Sequence, residues 1–294
     1  MSKKDLPIIF ILDMDKCIIG DSDYLYSYSL FINDFLVQNG KHRKFNEENY
    51  RINKGIWKKD VPSNFLRPYL KEFINEVKKI FPTSEFFIFS FGIRSYVNDF
   101  IQFVEETIDF KFNRPLLTRE DKSISIDGFM IKDVRGYMEQ FFKTIKSKYP
   151  NIDLASNEEF IYNNRLIIID DIPEFWNDNP KLVICNPYEY TPIPIIDNQL
   201  LKLIRDNQDL ISFINNTKNS FFPKYLKPLS PDYTYDDFYI DYHLQMSYLY
   251  RSNYQKNKEA IKDEFFKNLL ISIKPRAKLT KPFTPEFIQT LNKK

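Results

Sequence analysis

The sequence predicts an α/β fold, a mainly parallel sheet flanked by helices. Three observations carry this expectation. Short, nearly unbroken apolar runs occur at Leu6–Leu12, Phe86–Phe89 and Arg165–Ile169, the pattern of strands buried on both faces. Stretches with helical spacing of apolar residues lie between them, as crossover connections require. Each run is followed by a polar residue: Asp13, Ser90 and Asp170.

Taken in order, Leu6–Leu12 is the first strand. Residues 22–40 carry Tyr and Phe at helix-like spacing, and residues 41–64 are polar and basic and read as a loop or insertion. Pro68–Ile80 predicts an amphipathic helix, with Pro in its first turn and Leu70, Phe73, Ile74, Val77 and Ile80 on one side. Phe86–Phe89 is the second strand and Tyr96–Thr107 the next helix. Asn113–Phe129 alternates loosely around the turn signal Asp127-Gly128 and reads as a small β-ribbon insertion. A helix over Tyr137–Lys148, the strand Arg165–Ile169, a shorter strand Leu182–Cys185 and a closing helix over Asp197–Ile214 follow. Beyond residue 217, Pro223, Pro228 and Pro231 mark a linker or an extended wrap. Residues 235–272 are aromatic and helix-like, and residues 274–294 form a basic tail. The expected organisation is an α/β domain over residues 1–217 and a helical extension over residues 218–294.

A chain of 294 residues, 43% hydrophobic and 28% charged, has the balance of a globular protein of one or two domains. No apolar run approaches the length of a membrane span, and Met1–Asp5 leads into the first strand without a signal-peptide pattern. An intracellular protein, nuclear or cytoplasmic and not membrane-bound, is therefore expected. Two cysteines exclude a disulfide scaffold, and with His42 and His243 far apart they argue against a zinc site. A net charge of +2 is too balanced to predict nucleic-acid binding. The tail 274–294 keeps a nucleic acid or an acidic partner as a candidate, a solvated charge run being the plainer reading.

Ligands of open α/β sheets bind outside the carboxyl ends of the strands. If the three strands are neighbours, Asp13, Asp15, Ser90, Asp170 and Asp171 converge there, and Lys132, after the ribbon, could add a cation. That set suits phosphoryl transfer. Asp13 could attack phosphorus and form an aspartyl phosphate. Asp13 and Asp171 could hold Mg²⁺, which favours oxygen ligands. Lys132 and the Ser90 hydroxyl would meet the phosphoryl oxygens. Asp15 could protonate the leaving oxygen and then activate water. Plainer readings stand beside these: turn residues for Asp13 and Asp15, caps for Ser90 and for Asp170-Asp171, a surface amine for Lys132. Trp176 and Cys17 are expected in the core.

The run IIFILDMDKCIIG resembles motif I of the haloacid dehalogenase superfamily. In its order of motifs the chain is similar to the branch of phosphatases acting on the C-terminal domain of RNA polymerase II. FLRPYLKEFI resembles that branch's Arg-Pro helix, FFIFSFGIRSYVNDF motif II with Ser90, GFMIKDVRGY the segment bearing the motif III lysine as Lys132, and RLIIIDDIPEFW motif IV with Asp170, Asp171 and Trp176. PKLVICNPYEY is similar to the stretch that follows. The resemblance covers roughly residues 6–215. It implies a Rossmann-like core and hydrolysis of phosphoserine or phosphothreonine in a phosphoprotein. The implied catalytic set is Asp13, Asp15, Ser90, Lys132 and Asp170, with Mg²⁺ held by Asp13, Asp15 and Asp171. Two positions depart from the pattern: Cys17 stands where the family has Thr, and Ile172 where an Arg often follows the Asp pair. The alternatives are a scaffold that keeps the fold without catalysis and a phosphatase of nucleic-acid ends.

Overall fold

Four strands form one parallel sheet in a computed structural model that describes residues 2–21, 63–121, 125–126, 129–177, 179–192 and 251–293. They are β1 (Ile8–Leu12), β2 (Ser84–Ile88), β5 (Leu166–Asp170) and β6 (Leu182–Ile184), in the order β2-β1-β5-β6. β1 is central and pairs Leu12 with Ile88 on one side and with Ile169 on the other. The three apolar runs are therefore neighbours, and their carboxyl ends lie together. A separate antiparallel pair, β3 (Ser125–Ile126) and β4 (Phe129–Met130), is the ribbon. It is shorter than expected. Much of the preceding stretch runs beside the sheet instead: Leu117 bridges Phe89, and Asn113 donates its backbone N–H to Phe86 O at 2.8 Å.

Helices cover the sheet: α1 (Leu70–Ile80), α2 (Arg94–Ile108), α3 (Met138–Ile145), α4 (Glu158–Arg165), α5 (Phe265–Ile273) and α6 (Pro285–Leu291). Alternation along β1 separates two cores. Ile9 and Ile11 join Phe87, Phe141, Met138, Ile161 and Trp176 on one face. Phe10 points to the other, stacking on Phe86 at 4.8 Å and meeting Phe73 and Phe283 edge-on at 6.0 and 5.7 Å. Phe73 of α1 in turn packs on Phe266 of α5 at 5.0 Å. Phe10 thus ties the sheet to α1 and to the C-terminal segment. Replacing it with Ala should cost roughly 3–5 kcal/mol of folding free energy. Urea unfolding measures this, and a loss below about 1 kcal/mol would mean the four rings are not a shared core.

Some boundaries differ from those expected, for local reasons. α1 begins at Leu70 because Tyr69 is left-handed, with φ of 64°, and cannot continue a helix from Pro68. α4 was not legible. It buries only Ile161 and Arg165, so it has little apolar periodicity. Arg165 ends this helix rather than starting β5. Its guanidinium donates to the carbonyls of Lys4, Leu6, Pro7 and Thr280 at 2.7–3.2 Å.

The chain divides into two compact units, one of Met1–Ile19, Leu66–Tyr188 and Lys262–Lys294, the other of Gly20–Phe65 and Glu189–Ile261. The first holds the sheet and all six named helices. Within it the basic tail is folded: Phe283 and Ile288 are buried, and Asn292 pairs with the edge strand β6, accepting from Ile184 N–H at 2.9 Å and donating to Leu182 O at 2.8 Å. In the second unit residues 251–260 are helical, and Asn257 makes a reciprocal pair with the backbone of Thr191 at 2.8 and 2.9 Å. Gly20 lies against Tyr190, whose carbonyl oxygen would be 2.0 Å from an added Cβ. The helices expected over residues 22–40 and 197–214, the insertion up to residue 62, the Pro-rich stretch 219–231, the aromatic stretch up to residue 250, the turn at residues 127–128, and His42 and His243 lie outside the described residues. No described helix is long and apolar enough to cross a membrane.

Candidate active site

Asp13 follows β1 directly. Its N–H donates to Ile169 O at 2.9 Å, so the ladder with β5 runs one residue past the strand and points the next turn out of the sheet. That turn closes on Met14, whose carbonyl accepts from Cys17, Ile18 and Ile19. Lys16 is left-handed, with φ of 55°, a conformation that clusters at functional loops. Asp13 is 6% exposed.

Lys132 is buried beside it. Its ammonium donates to Asp13 Oδ1 at 2.6 Å and to Asp170 Oδ2 at 2.5 Å, with Trp176, Phe91 and Phe89 rings 5.2–5.8 Å away. Burial works to lower its pKa, but the two carboxylates outweigh it and raise the value above that of an ordinary lysine. Lys132 is therefore a fixed cation. Asp170 is held at both oxygens: Oδ1 accepts from Ile172 N–H, and Oδ2 from Trp176 Nε1 as well as from Lys132, the first two at 2.8 Å. Trp176 is in the core as expected, and it also orients the residue that orients Lys132. Ile172, which stands where an Arg often follows the Asp pair in the branch the sequence resembles, contributes its backbone N–H.

Asp171 completes the group. One carboxylate oxygen from each of Asp13, Asp170 and Asp171 lies within 4.8 Å of the others. Three neighbouring carboxylates with one ammonium, which contacts Asp13 and Asp170, leave excess negative charge. Burial, the charge of Asp170 and that of Asp15 push the Asp13 pKa well up against the opposing pull of Lys132. Burial and Asp170 push Asp171 up to about 6. An all-oxygen donor set with uncompensated charge fits a hard divalent cation such as Mg²⁺. Asp170 already accepts from three donors, which makes Asp13 and Asp171 the better ligands.

Ser90 lies two residues past β2, at the same end of the sheet, and its Oγ accepts from Gly92 N–H at 3.0 Å. Asp15 is not part of the three-carboxylate group. It is partly exposed, and its Oδ1 accepts a hydrogen bond from the hydroxyl of Tyr96, in the first turn of α2. Cys17 is buried, as expected. Its thiol donates to Ile169 O at 3.5 Å, and its sulfur lies 3.8 Å from that of Cys185.

Two residues here were not singled out from the sequence. Tyr96 is one. Arg67 is the other: 1% exposed, it makes a two-pronged pair with Asp263 at 2.8 and 2.9 Å and donates to Asn186 O at 2.9 Å and to Cys17 O at 3.3 Å. It ties the loop after β1 to the C-terminal segment. Its only signal was its place in FLRPYLKEFI, the segment that resembles the branch's Arg-Pro helix.

Among solved structures, the chain is similar to a beryllium-fluoride-bound variant of the fission yeast RNA polymerase II CTD phosphatase Fcp1, with 13% identity, 89% of this chain and 68% of that one covered, and a TM-score of 0.33. A second structure, of Fcp1, an essential RNA polymerase II CTD phosphatase, gives 16%, 86%, 65% and 0.32. The HAD domain of effector protein Lem4 from Legionella pneumophila gives 13%, 72%, 100% and 0.28. The chain thus spans about two thirds of each Fcp1 chain. No curated protein matches it. The model of the NLI interacting factor-like phosphatases matches residues 8–218, which takes in the whole sheet and every residue of the acidic group. On that match the chain belongs to the NLI interacting factor-like phosphatase family.

Proposed function

We propose that this protein is a Mg²⁺-dependent phosphatase that works through an aspartyl phosphate on Asp13, with phosphoserine or phosphothreonine in protein segments as substrate. The observation that carries the reading is the buried Lys132 ammonium shared by Asp13 and Asp170, with Asp171 alongside. Asp13 and Asp171 would hold the ion. When bound, Mg²⁺ supplies positive charge to the phosphoryl oxygens and favours the ionised carboxylates.

The protein's own groups do the rest. An oxygen of Asp13 forms the new bond to phosphorus while the bond to the leaving oxygen breaks, and Asp15 gives that oxygen its proton. Asp15, now a carboxylate, takes a proton from the water that attacks the phosphoaspartate, so Asp13 is regenerated. Lys132 offsets charge on the phosphoryl group from a fixed position, and Asp170 keeps its ammonium there. Ser90 can donate its hydroxyl proton to a phosphoryl oxygen while its lone pair holds Gly92 N–H. The preference for a protein substrate is supported by the ordered motifs of the sequence.

The test compares a phosphoserine-proline peptide with a 3′-phosphorylated oligonucleotide, each with Mg²⁺ and with chelator. Peptide turnover should fall at least about a hundredfold on chelation and return with Mg²⁺, as removal of a charge-stabilising cation implies. Undiminished turnover in chelator would remove the metal from the scheme. Faster hydrolysis of the oligonucleotide would replace the substrate class, and no turnover of either would favour the scaffold alternative.

A further inference from the structure

Acid–base work needs more than a carboxyl group nearby. The carboxyl plane must be fixed, so that one oxygen faces the leaving group while the other is held. Asp15 sits on a turn outside the sheet and is partly exposed. The Cys17 thiol, two residues on, is engaged with Ile169 O and adjacent to Cys185 on the buried side.

Tyr96 meets the need from a different element. It is 6% exposed, and its hydroxyl donates to Asp15 Oδ1. The ring is confined by two neighbours. Phe100, one turn along α2, packs on it with centroids 4.6 Å apart. The second is Gly92, where an added Cβ would be 2.5 and 2.8 Å from ring carbons of Tyr96 and 2.9 Å from a methyl of Val97. Only a residue without a side chain leaves the ring this path. Gly92 is also the residue whose N–H holds Ser90 Oγ. One short segment between β2 and α2 therefore sets both Ser90 and the hydroxyl that reaches Asp15.

We propose that Tyr96 is a positioning residue for Asp15, with Gly92 as the clearance that admits its ring. The hydroxyl anchors Oδ1 and so fixes the plane of the carboxyl group that hands over and recovers the proton. This rests on the proposed role of Asp15, and the experiment separates the two. An alkyl leaving group such as the serine oxygen needs a proton as it departs, whereas 4-nitrophenolate does not. The ratio of kcat/KM for a phosphoserine peptide to that for 4-nitrophenyl phosphate therefore reports acid catalysis in the step that forms the phosphoaspartate. Tyr96→Phe should lower this ratio roughly tenfold, a fraction of the 10²–10⁴ that general acid catalysis contributes. Gly92→Ala, which displaces the ring but keeps the hydroxyl, should lower it in the same direction. Asp15→Asn should lower it further, and Tyr96→Phe added to Asp15→Asn should change nothing more, because residues acting as one unit are non-additive.

An unchanged ratio in Tyr96→Phe, with Asp15→Asn still impaired, would overturn the role of Tyr96 and leave the phosphatase reading standing. Equal losses on both substrates, or an additive double variant, would also overturn it, by placing Tyr96 in substrate binding or in the fold. An Asp15→Asn variant with an undiminished ratio would instead overturn the acid–base role on which the proposal stands.

Discussion

Replacing Asp13 with Asn is expected to give a folded protein whose turnover of 4-nitrophenyl phosphate falls at least about a thousandfold, the scale of losing a covalent nucleophile. The side-chain amide oxygen can still accept from Lys132, so the geometry survives, but the amide is not a competent nucleophile toward phosphorus. Stability should move the other way. Asp13 is one of three neighbouring carboxylates, two of which share a single ammonium, and burial and its acidic neighbours push its pKa up, disfavouring the ionised form in the fold. A carboxylate whose folded pKa is raised costs stability once the pH exceeds its unfolded value. In chelator at neutral pH, Asp13→Asn should therefore melt at the same temperature or higher. Activity within tenfold of the parent would discard the nucleophile assignment. A lower melting temperature would attribute the loss of turnover to the fold.

The second large effect concerns Arg67. Its guanidinium is buried, paired with Asp263, hydrogen-bonded to two carbonyls, and 4.6 Å from the ring of Phe265. Burial by itself would lower its pKa, but the hydrogen-bonded Asp263 outweighs this and raises it, so the charge stays. Arg67→Met takes the guanidinium away from the Asp263 carboxylate, which keeps the Phe265 N–H, and from the carbonyls of Cys17 and Asn186. Breaking a buried pair from one side costs about 3–5 kcal/mol, and the partly exposed Asp263 side chain puts this pair at the lower end, about 3 kcal/mol. Asp263→Asn keeps an acceptor oxygen and should cost less, on the order of 1–3 kcal/mol. Denaturant unfolding of both variants checks the order. A loss below about 1 kcal/mol for Arg67→Met would mean the pair is not the clamp between the C-terminal segment and the loop after β1. Because that loop carries Asp13 and Asp15, the folded fraction of Arg67→Met should also show reduced kcat.

Much of the site was legible because its polar residues follow buried strands. Asp13, Ser90 and Asp170 each come at or just after the end of an apolar run, and the parallel ladder of β2, β1 and β5 brings those ends together. Lys132 was legible as a candidate through its place after the ribbon, and the order of motifs gave it its role. It follows the short ribbon, and no periodicity separates it from a surface lysine. Helix α4 was hidden because its buried positions are few and one of them is an arginine. The buried Phe283 and Ile288 were overlooked because the surrounding lysines dominate the reading of the tail.

Chain-local chemistry was sufficient for the strands, their alternation with helices, and the carboxylates placed at strand ends, since runs of buried residues and their polar boundaries are written over five to ten neighbouring positions. Tertiary structure alone decided which groups touch. Lys132 meets Asp13 across 119 positions, Tyr96 meets Asp15 across 81, and Arg67 meets Asp263 across 196. Such pairs follow from strand order and from the space between packed elements, and neither leaves a local trace in the sequence.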